Sequence, residues 1–331
     1  MSRVGRLGRV GRAWRAVVAG DVDLTTTVGS VVLPGPVMTA SGTAGHADEL
    51  EAYVPLADLG AVVVKSLSDD PWPGNPAPRV HQTPSGMLNS VGLQGPGVAA
   101  WLTDDLPGLA ATGARVVVSL WGRRVEEFAR AAALLAGGLG PDGPVVAVEA
   151  NVSCPNVEDR RVMFAHSPTA TAAVVAAVRQ ACPDVPVWAK LSPNVADLTA
   201  VAGAALEAGA EAVTLVNTVL GMAIDTEARR PLLGSGPGGG GLSGAAIHPV
   251  AVRAVFDVRA AFPTAAIVGV GGVTDGVGAV ELLLAGASAV QVGTATFRDP
   301  RAPLRVQRQI ETWCARRGVR AVTELIGGAH G

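Results

Sequence analysis

Short β-branched runs alternate with alanine- and leucine-rich segments along nearly the whole chain, and this alternation constrains the fold more than any other feature. Apolar strands separated by helical patterns of 10–15 residues indicate a parallel sheet covered on both faces. Eight such units with no sign of a second module predict a single-domain α/β fold, the closed (β/α)8 TIM barrel, rather than an open doubly wound sheet. The eight runs are 36–41, 61–66, 115–120, 145–151, 185–192, 212–217, 265–272 and 287–294, and helix-like segments are at 125–139, 167–182, 194–209 and 275–287.

Nearly every predicted strand ends in a polar residue or in glycine. In barrels of this class the chemistry lies at the carboxyl ends of the strands. A single polar residue there could simply lead the strand into a loop, but the complete set predicts a binding site. The strand ends are Ser41, Lys65, Ser119, Asn151, Lys190, Asn217, the pair Gly271 and Gly272, and the pair Gly293 and Thr294.

Lysine is rare in this chain. Only two of its 26 basic residues are lysines, Lys65 and Lys190, and both lie at predicted strand ends. A compact ammonium differs chemically from the planar guanidinium that the chain uses everywhere else. This distribution predicts that both lysines have a functional role.

Asparagine is scarce as well, with six in the chain. An amide offers both a donor and an acceptor, which matches a ring of alternating N–H and C=O groups. Four of the six stand at strand ends or in the loop GMLNSVGLQGPG, where we predict a functional role: Asn89, Asn151, Asn156 and Asn217. Asn75 and Asn194 lie beside a proline or at a helix start, which is typical of turn and cap residues.

Glycines follow the last two predicted strands, as GVGG at 269–272 and GT at 293–294. Barrels of this class often bind a phosphate there, because bare backbone N–H groups and a helix start face the anion. The run at 234–239 also spells G-x-G-x-x-G, but it follows no strand and opens no βαβ unit, so we interpret it as a loop. A cofactor phosphate is therefore predicted at 269–272 and 293–294.

Composition excludes several classes of partner. The net charge of −2 and the 16% of charged residues give no basic field for nucleic acid, and no apolar run is long enough to cross a membrane. Three cysteines form no disulfide framework, which fits a reducing, cytoplasmic location. They also cannot supply the four ligands of an iron–sulfur cluster. Small molecules are the expected partners, and no metal site is predicted.

The first 21 residues carry arginines three apart with glycines between them. This spacing distributes the charge around a helix, the glycines weaken that helix, and the segment has no apolar core of a secretory signal. We predict a basic, disordered tail over 1–21 and the barrel over 22–331. The alternative is a basic arm that contacts an acidic partner or a lipid surface.

Several motifs together resemble dihydroorotate dehydrogenase, and more narrowly the class 1 enzymes and their NAD-linked catalytic subunit. The resemblance covers about residues 22–310. It implies an FMN-containing barrel that oxidises dihydroorotate to orotate in pyrimidine biosynthesis. The motifs are GNPAPRV (74–80), GMLNSVGLQGPG (86–97), NVSCPNV (151–157), KLSPNV (190–195), VNTVLGM (216–222), GGLSG (240–244) and GASAVQVGTATF (286–297).

The resemblance implies a role for each polar strand end. Cys154 and Lys65 would be the catalytic residues, with Cys154 as the general base and Lys65 also binding the substrate carboxylate. The residues implied to contact FMN are Ser41, Lys65, Ser66, Ser119, Asn151, Lys190, Val216, Gly244, Gly271, Gly272, Gly293 and Thr294. Those implied to hold the pyrimidine are Lys65, Asn89, Ser90, Val91, Gly92, Leu93, Asn151, Asn156, Asn217 and Thr218.

The chain departs from the family pattern in three places. Ser119 stands where the family usually has asparagine, and the loop 157–168 lacks the usual paired glycines. His248 replaces a common lysine, and we predict only an exterior role for it.

Two other functions remain open from the residues alone. A Schiff-base aldolase or isomerase would use Lys190 as its nucleophile, and a non-catalytic paralogue would bind FMN without turnover. The resemblance implies a homodimer or a heterotetramer. Electrons would pass either to a second subunit with FAD and an iron–sulfur cluster or to a small acceptor such as fumarate. The GLQGPG motif favours the second subunit.

Overall fold

Eight parallel strands form the centre of the molecule, and each lies within one of the eight predicted runs. The computed structural model describes residues 20–140, 142–153, 163–233 and 239–331. The strands are β1 Val37–Thr39, β2 Val62–Val63, β3 Val116–Leu120, β4 Val145–Asn151, β5 Val187–Lys190, β6 Ala212–Leu215, β7 Ala266–Val270 and β8 Ala289–Val292. Neighbours in the sheet follow chain order, and β8 pairs with β1. A parallel bridge between Met38 and Ala61 joins β1 to β2 and closes the ring, which confirms the (β/α)8 barrel.

Helices surround the barrel, and the four predicted helical segments correspond to α3, α4, α5 and α7. The helices are α1 Val98–Asp104, α2 Leu106–Ala111, α3 Val125–Gly138, α4 Pro168–Ala181, α5 Leu198–Glu207, α6 His248–Ala261, α7 Gly276–Ala285, α8 Ala295–Arg298 and α9 Ala302–Arg317. Ser167, Asp197 and Asp275 cap α4, α5 and α7 by accepting backbone N–H groups. Asn194 therefore does not cap α5. Short 3-10 turns occupy Leu56–Asp58, Phe164–His166, Ala245–Ile247, Val322–Leu325 and Gly328–His330.

The period-two alternation of the strands separates two apolar cores. One core fills the space between the strands and the helices. The other lies inside the barrel, where Met38, Val117 and Trp188 pack together. A hairpin of Thr26–Val28 with Val31–Leu33 packs Val28, Val31 and Leu33 into this inner core. The hairpin and the inner core leave the carboxyl ends of the strands as the open side of the barrel.

A small antiparallel sheet is built from the loops that follow β2 and β6. Its four strands are Val80–Thr83, Gly86–Asn89, Gly240–Ser243 and Val219–Gly221. Asn89 pairs with Gly241 across more than 150 positions of sequence. A second hairpin, formed by the two-residue strands Ile224–Asp225 and Arg230–Pro231, extends from the loop after β6. None of the eight runs predicted from sequence corresponds to a strand of this small sheet.

The predicted basic tail lies outside the described residues except for its last two positions. Most of the run at 234–239 lies outside them as well. Within the described ranges, no helix combines the length and the apolar character needed to cross a membrane.

Candidate active site

A series of hydrogen bonds joins the ends of strands β2, β3, β4 and β6. The Ser66 and Ser119 hydroxyl oxygens lie 2.9 Å apart, and Asn151 Nδ2 donates to Ser66 Oγ at 3.3 Å. Asn217 Nδ2 donates in turn to Asn151 Oδ1 at 3.3 Å. Four residues that the sequence places at separate strand ends are thus brought side by side. Ser119 has no exposed surface, so it lies behind Ser66 rather than at the open face.

Lys190, at the end of β5, belongs to a buried polar network. Its Nζ donates to Ser41 Oγ at 3.0 Å and to Gln291 Oε1 at 3.4 Å, and it lies 3.6 Å from Glu149 Oε1. Glu149 Oε2 accepts from Thr214 Oγ1 at 3.0 Å and from Gln291 Nε2 at 2.9 Å. Ser41 and Lys190 are predicted from sequence, whereas Glu149, Thr214 and Gln291 are not. Glu149 stands two positions before Asn151 and therefore on the same face of β4. A charged residue at that position of a buried strand could have revealed it from the sequence.

Lys65 is half-buried just past β2. A Cβ added to Gly42 would lie 3.9 Å from Lys65 Nζ, so the ammonium faces the loop after β1. Burial and the nearby Arg79 guanidinium hold the pKa of Lys65 below the ordinary lysine value. Among the described residues, Lys65 forms no ion pair with a carboxylate. A half-buried cation without a counter-charge is suited to an anionic ligand.

The predicted substrate loop 89–93 is held by side chains of the preceding segment. Asn75 Nδ2 donates to the Ser90 carbonyl and hydroxyl oxygens, both at 3.1 Å, and Trp72 Nε1 donates to the Gly92 carbonyl at 3.0 Å. Leu93 has φ +60°, which is uncommon outside glycine. Asn75 is therefore more than a turn residue, because it fixes this loop by a tertiary contact.

The far end of the loop adjoins the segment after β6. Asn89 Nδ2 donates to the Gly241 carbonyl at 3.3 Å. Asn217 Oδ1 accepts from the Thr218 N–H at 2.8 Å, and Asn194 Nδ2 donates to the Thr218 carbonyl at 3.0 Å. Asn194, assigned to a turn or cap from sequence, thus supports a predicted substrate-binding residue.

The glycines after β6, β7 and β8 converge on one side of the site. Gly272 has φ +68°, and a Cβ there would lie 2.6 Å from His248 Cβ and 2.9 Å from the Gly244 carbonyl oxygen. Thr294 Oγ1 donates to Ser243 Oγ at 2.8 Å, which joins the loop after β8 to this group. Only glycine combines this φ with so close an approach of backbone.

His248 makes contacts that differ from the exterior role predicted for it. Its Nδ1 lies 2.8 Å from the Gly271 carbonyl oxygen, and its Nε2 lies 3.1 Å from Glu281 Oε2 on α7. His248 therefore fixes the glycine loop after β7.

Val216, Gly293 and Val91 are the remaining predicted site residues whose positions the structure describes. Val216 is 2% exposed, and its N–H donates to the Val270 carbonyl at 2.7 Å. A Cβ on Gly293 would lie 3.3 Å from Ala40 Cβ, so the end of β8 adjoins the loop after β1. In the loop 89–93, the Val91 carbonyl accepts the Asn75 N–H at 3.0 Å. Cys154 and Asn156 lie outside the described residues.

Comparison with known proteins supports one family. Residues 23–313 match the family model described as dihydroorotate dehydrogenase. A protein of Desulforudis audaxviator named "dihydroorotate dehydrogenase B (NAD(+)), catalytic subunit" is 46% identical over 93% of this chain and 98% of its own length. Proteins with the same name from Pelobacter propionicus and Geobacter sp. strain M21 are each 44% identical over 92% of this chain, covering 98% and 97% of their own lengths. The chain belongs to the dihydroorotate dehydrogenase family and, within it, groups with the NAD-linked class 1 catalytic subunits.

Proposed function

We propose that the chain catalyses the oxidation of dihydroorotate to orotate in pyrimidine biosynthesis, with FMN as the hydride acceptor. The observation that carries the proposal is the meeting of the Ser66, Asn151 and Asn217 side chains beside the Lys190–Ser41 pair at one end of the barrel. A Schiff-base reaction at Lys190 is not favoured, because that amine is ion-paired with Glu149 and the family is an oxidoreductase family.

The residues present fit FMN. A Cβ at Gly272 would clash with His248 and with the Gly244 carbonyl oxygen, so this position must be glycine and its backbone N–H carries no side chain beside it that would block a phosphate. Around it we assign Gly244, Gly271, Gly272, Gly293 and Thr294. When bound, FMN supplies an acceptor for the hydride at its N5.

The flavin ring would lie over the strand ends. Lys190 and Ser41 supply hydrogen-bond donors, and the ammonium favours negative charge on a ligand above it. Lys65, Ser66, Asn151 and Val216 complete the assigned contacts. Ser119 acts through Ser66, since its hydroxyl is 2.9 Å from the Ser66 oxygen and it has no surface of its own.

We assign the pyrimidine to the side of the site nearest the loop 89–93. The amides of Asn89, Asn151, Asn156 and Asn217 suit the alternating N–H and C=O groups of the ring. Thr218 and the Ser90–Leu93 backbone would complete this set. The Lys65 ammonium, which forms no ion pair with a carboxylate among the described residues, would bind the substrate carboxylate.

Cys154 is assigned as the general base, from its place in the motif NVSCPNV. Dihydroorotate loses a hydride from one ring carbon and a proton from the next. A thiolate on the face opposite the flavin would take the proton, while the asparagines orient the ring. An ordinary thiol, with a pKa of about 8.5, is partly ionised near neutral pH.

We also propose a second subunit as the electron acceptor. The relatives' shared name contains both "NAD(+)" and "catalytic subunit". The chain has only three cysteines and no credible dinucleotide-binding motif, so an iron–sulfur cluster and FAD would be carried by the partner in a heterotetramer. Cys182 and Cys314 are free and buried, which supports a reducing, cytoplasmic location.

Anaerobic mixing of the purified protein with dihydroorotate tests the function. The protein is expected to contain about one FMN per chain, to lose its yellow colour on addition of dihydroorotate, and to release orotate. Dihydrouracil, which lacks the carboxylate, is the matched control and should reduce the flavin far more slowly. A colourless protein would refute the cofactor assignment, whereas a yellow protein that dihydroorotate does not bleach would indicate the non-catalytic paralogue.

Gly272→Ala is expected to weaken FMN binding by about five- to thirtyfold. The left-handed backbone costs a residue with a Cβ about 1–2 kcal/mol, and the added Cβ would lie 2.6 Å from His248 Cβ. Gly318→Ala is the matched control, because Gly318 has φ +73° but nothing within 4 Å of its added Cβ. Fluorescence titration of the apoproteins with FMN measures both affinities. Equal affinity in the two variants would place the phosphate elsewhere.

A further inference from the structure

Glu149 is a charged residue inside the barrel that the assigned reaction does not use. It is 0% exposed. It pairs in register with Trp188 of the inner core, whereas Asn151 pairs with Lys190 at the strand ends, so Glu149 lies one layer below the site. Carboxylates are almost never fully buried unless they are paired, because an uncompensated buried charge is strongly destabilising. Glu149 therefore needs a charged or hydrogen-bonding partner inside the barrel, and its burial indicates a specific role.

The two carboxylate oxygens of Glu149 have different environments. Oε2 accepts two hydrogen bonds, from Thr214 at 3.0 Å and from Gln291 at 2.9 Å. Oε1 has no hydrogen-bond partner among the described residues and lies 3.6 Å from Lys190 Nζ. Gln291 also accepts from Lys190 at 3.4 Å, so one amide contacts both charges. Thr214 and Gln291 thus hold the carboxylate with its free oxygen directed at the ammonium.

We propose that Glu149 is a positioning residue that fixes the Lys190 ammonium, offsets part of its charge and thereby lowers the reduction potential of bound FMN. Two-electron reduction adds negative charge to the cofactor. An ammonium with no counter-charge would favour that change more strongly than one paired with a carboxylate, because charges interact strongly away from water. The pair therefore keeps the cofactor able to pass its electrons on. The inference rests on the proposed function in one respect, that FMN binds against Lys190.

The test is the FMN midpoint potential of the holoprotein carrying Glu149→Gln, measured anaerobically against a reference dye. The amide retains the shape of the side chain and removes its charge. The equilibrium constant for reduction is expected to increase about tenfold, which is about 30 mV for a two-electron couple. Glu207→Gln is the matched control, since it makes the same exchange at an exposed position of α5, outside the Lys190 network. Its potential should stay close to that of the wild type.

The outcomes separate the two proposals. Wild-type protein without FMN refutes the proposed function and this inference together. FMN-loaded Glu149→Gln with an unchanged potential, or a shift of equal size in Glu207→Gln, overturns the inference alone. If Glu149→Gln does not fold, the double variant with Lys190→Gln decides by its thermal unfolding. Recovery of folding shows that Glu149 serves the lysine charge, whereas continued failure shows that the network serves packing and overturns the inference.

Discussion

Cys154→Ser is expected to slow the reduction of bound FMN by dihydroorotate about 10²–10⁴-fold at neutral pH, the usual contribution of a well-placed general base. Serine is nearly the size of cysteine, so the barrel, the flavin and the asparagine contacts should be retained. Its hydroxyl is far less acidic than a thiol, however, and it is a poor base without a helper. Rapid-mixing absorbance of the holoprotein under anaerobic conditions gives the rate, and orotate titration should show nearly unchanged binding.

Cys182→Ser provides a matched control for this experiment. Cys182 follows α4 and is 1% exposed, and burial raises the pKa of its thiol, so it is remote from the chemistry and unreactive. The same exchange there should leave the rate of flavin reduction unchanged. The wild-type rate should also rise with pH toward a plateau as the Cys154 thiol ionises, and the serine variant should lack that rise. A serine variant that bleaches as fast as wild type would assign proton removal to another residue.

The barrel and much of its site could be predicted from the sequence because both follow from local rules. Strands such as β5 are short apolar runs whose period of two separates an interior face from an exterior face. Once the strands are parallel and closed into a ring, their carboxyl ends must meet. This is why Asn151 and Asn217, 66 positions apart, could be assigned to one site before their hydrogen bond was seen.

The small antiparallel sheet could not be predicted in the same way. Its strand Gly240–Ser243 contains two glycines and has no alternating apolar pattern. Its pairing with Gly86–Asn89 joins segments from two different loops, and no local preference encodes such a register. The contacts of Glu149 and His248 depend on side-chain distances, which also become visible only once the strands and loops are placed.

Lys65→Arg is expected to lower kcat/KM for dihydroorotate about ten- to hundredfold, although the positive charge is kept. A hydrogen bond to a charged group is worth about 1.5–3 kcal/mol, and the Lys65 ammonium is half-buried close to the loop of Gly42. A longer, planar guanidinium cannot place a donor at the same point, and it would lie near the Arg79 guanidinium that already lowers the pKa of Lys65. Arg316→Lys, the reverse exchange at an exposed position of α9, should have no effect.

The pH dependence of KM distinguishes loss of the contact between Lys65 and the substrate carboxylate from steric crowding by the larger arginine. Burial, reinforced by Arg79, lowers the pKa of Lys65, so the ammonium loses its proton at a lower pH than free lysine does. The wild-type KM for dihydroorotate should therefore begin to rise below the ordinary lysine pKa of about 10.4 as the carboxylate loses its partner. In Lys65→Arg the guanidinium stays charged throughout this range, so its KM should be high but insensitive to pH. If the variant instead retains near-normal kcat/KM, or if both proteins show the same alkaline rise, the substrate carboxylate is bound by a group other than Lys65.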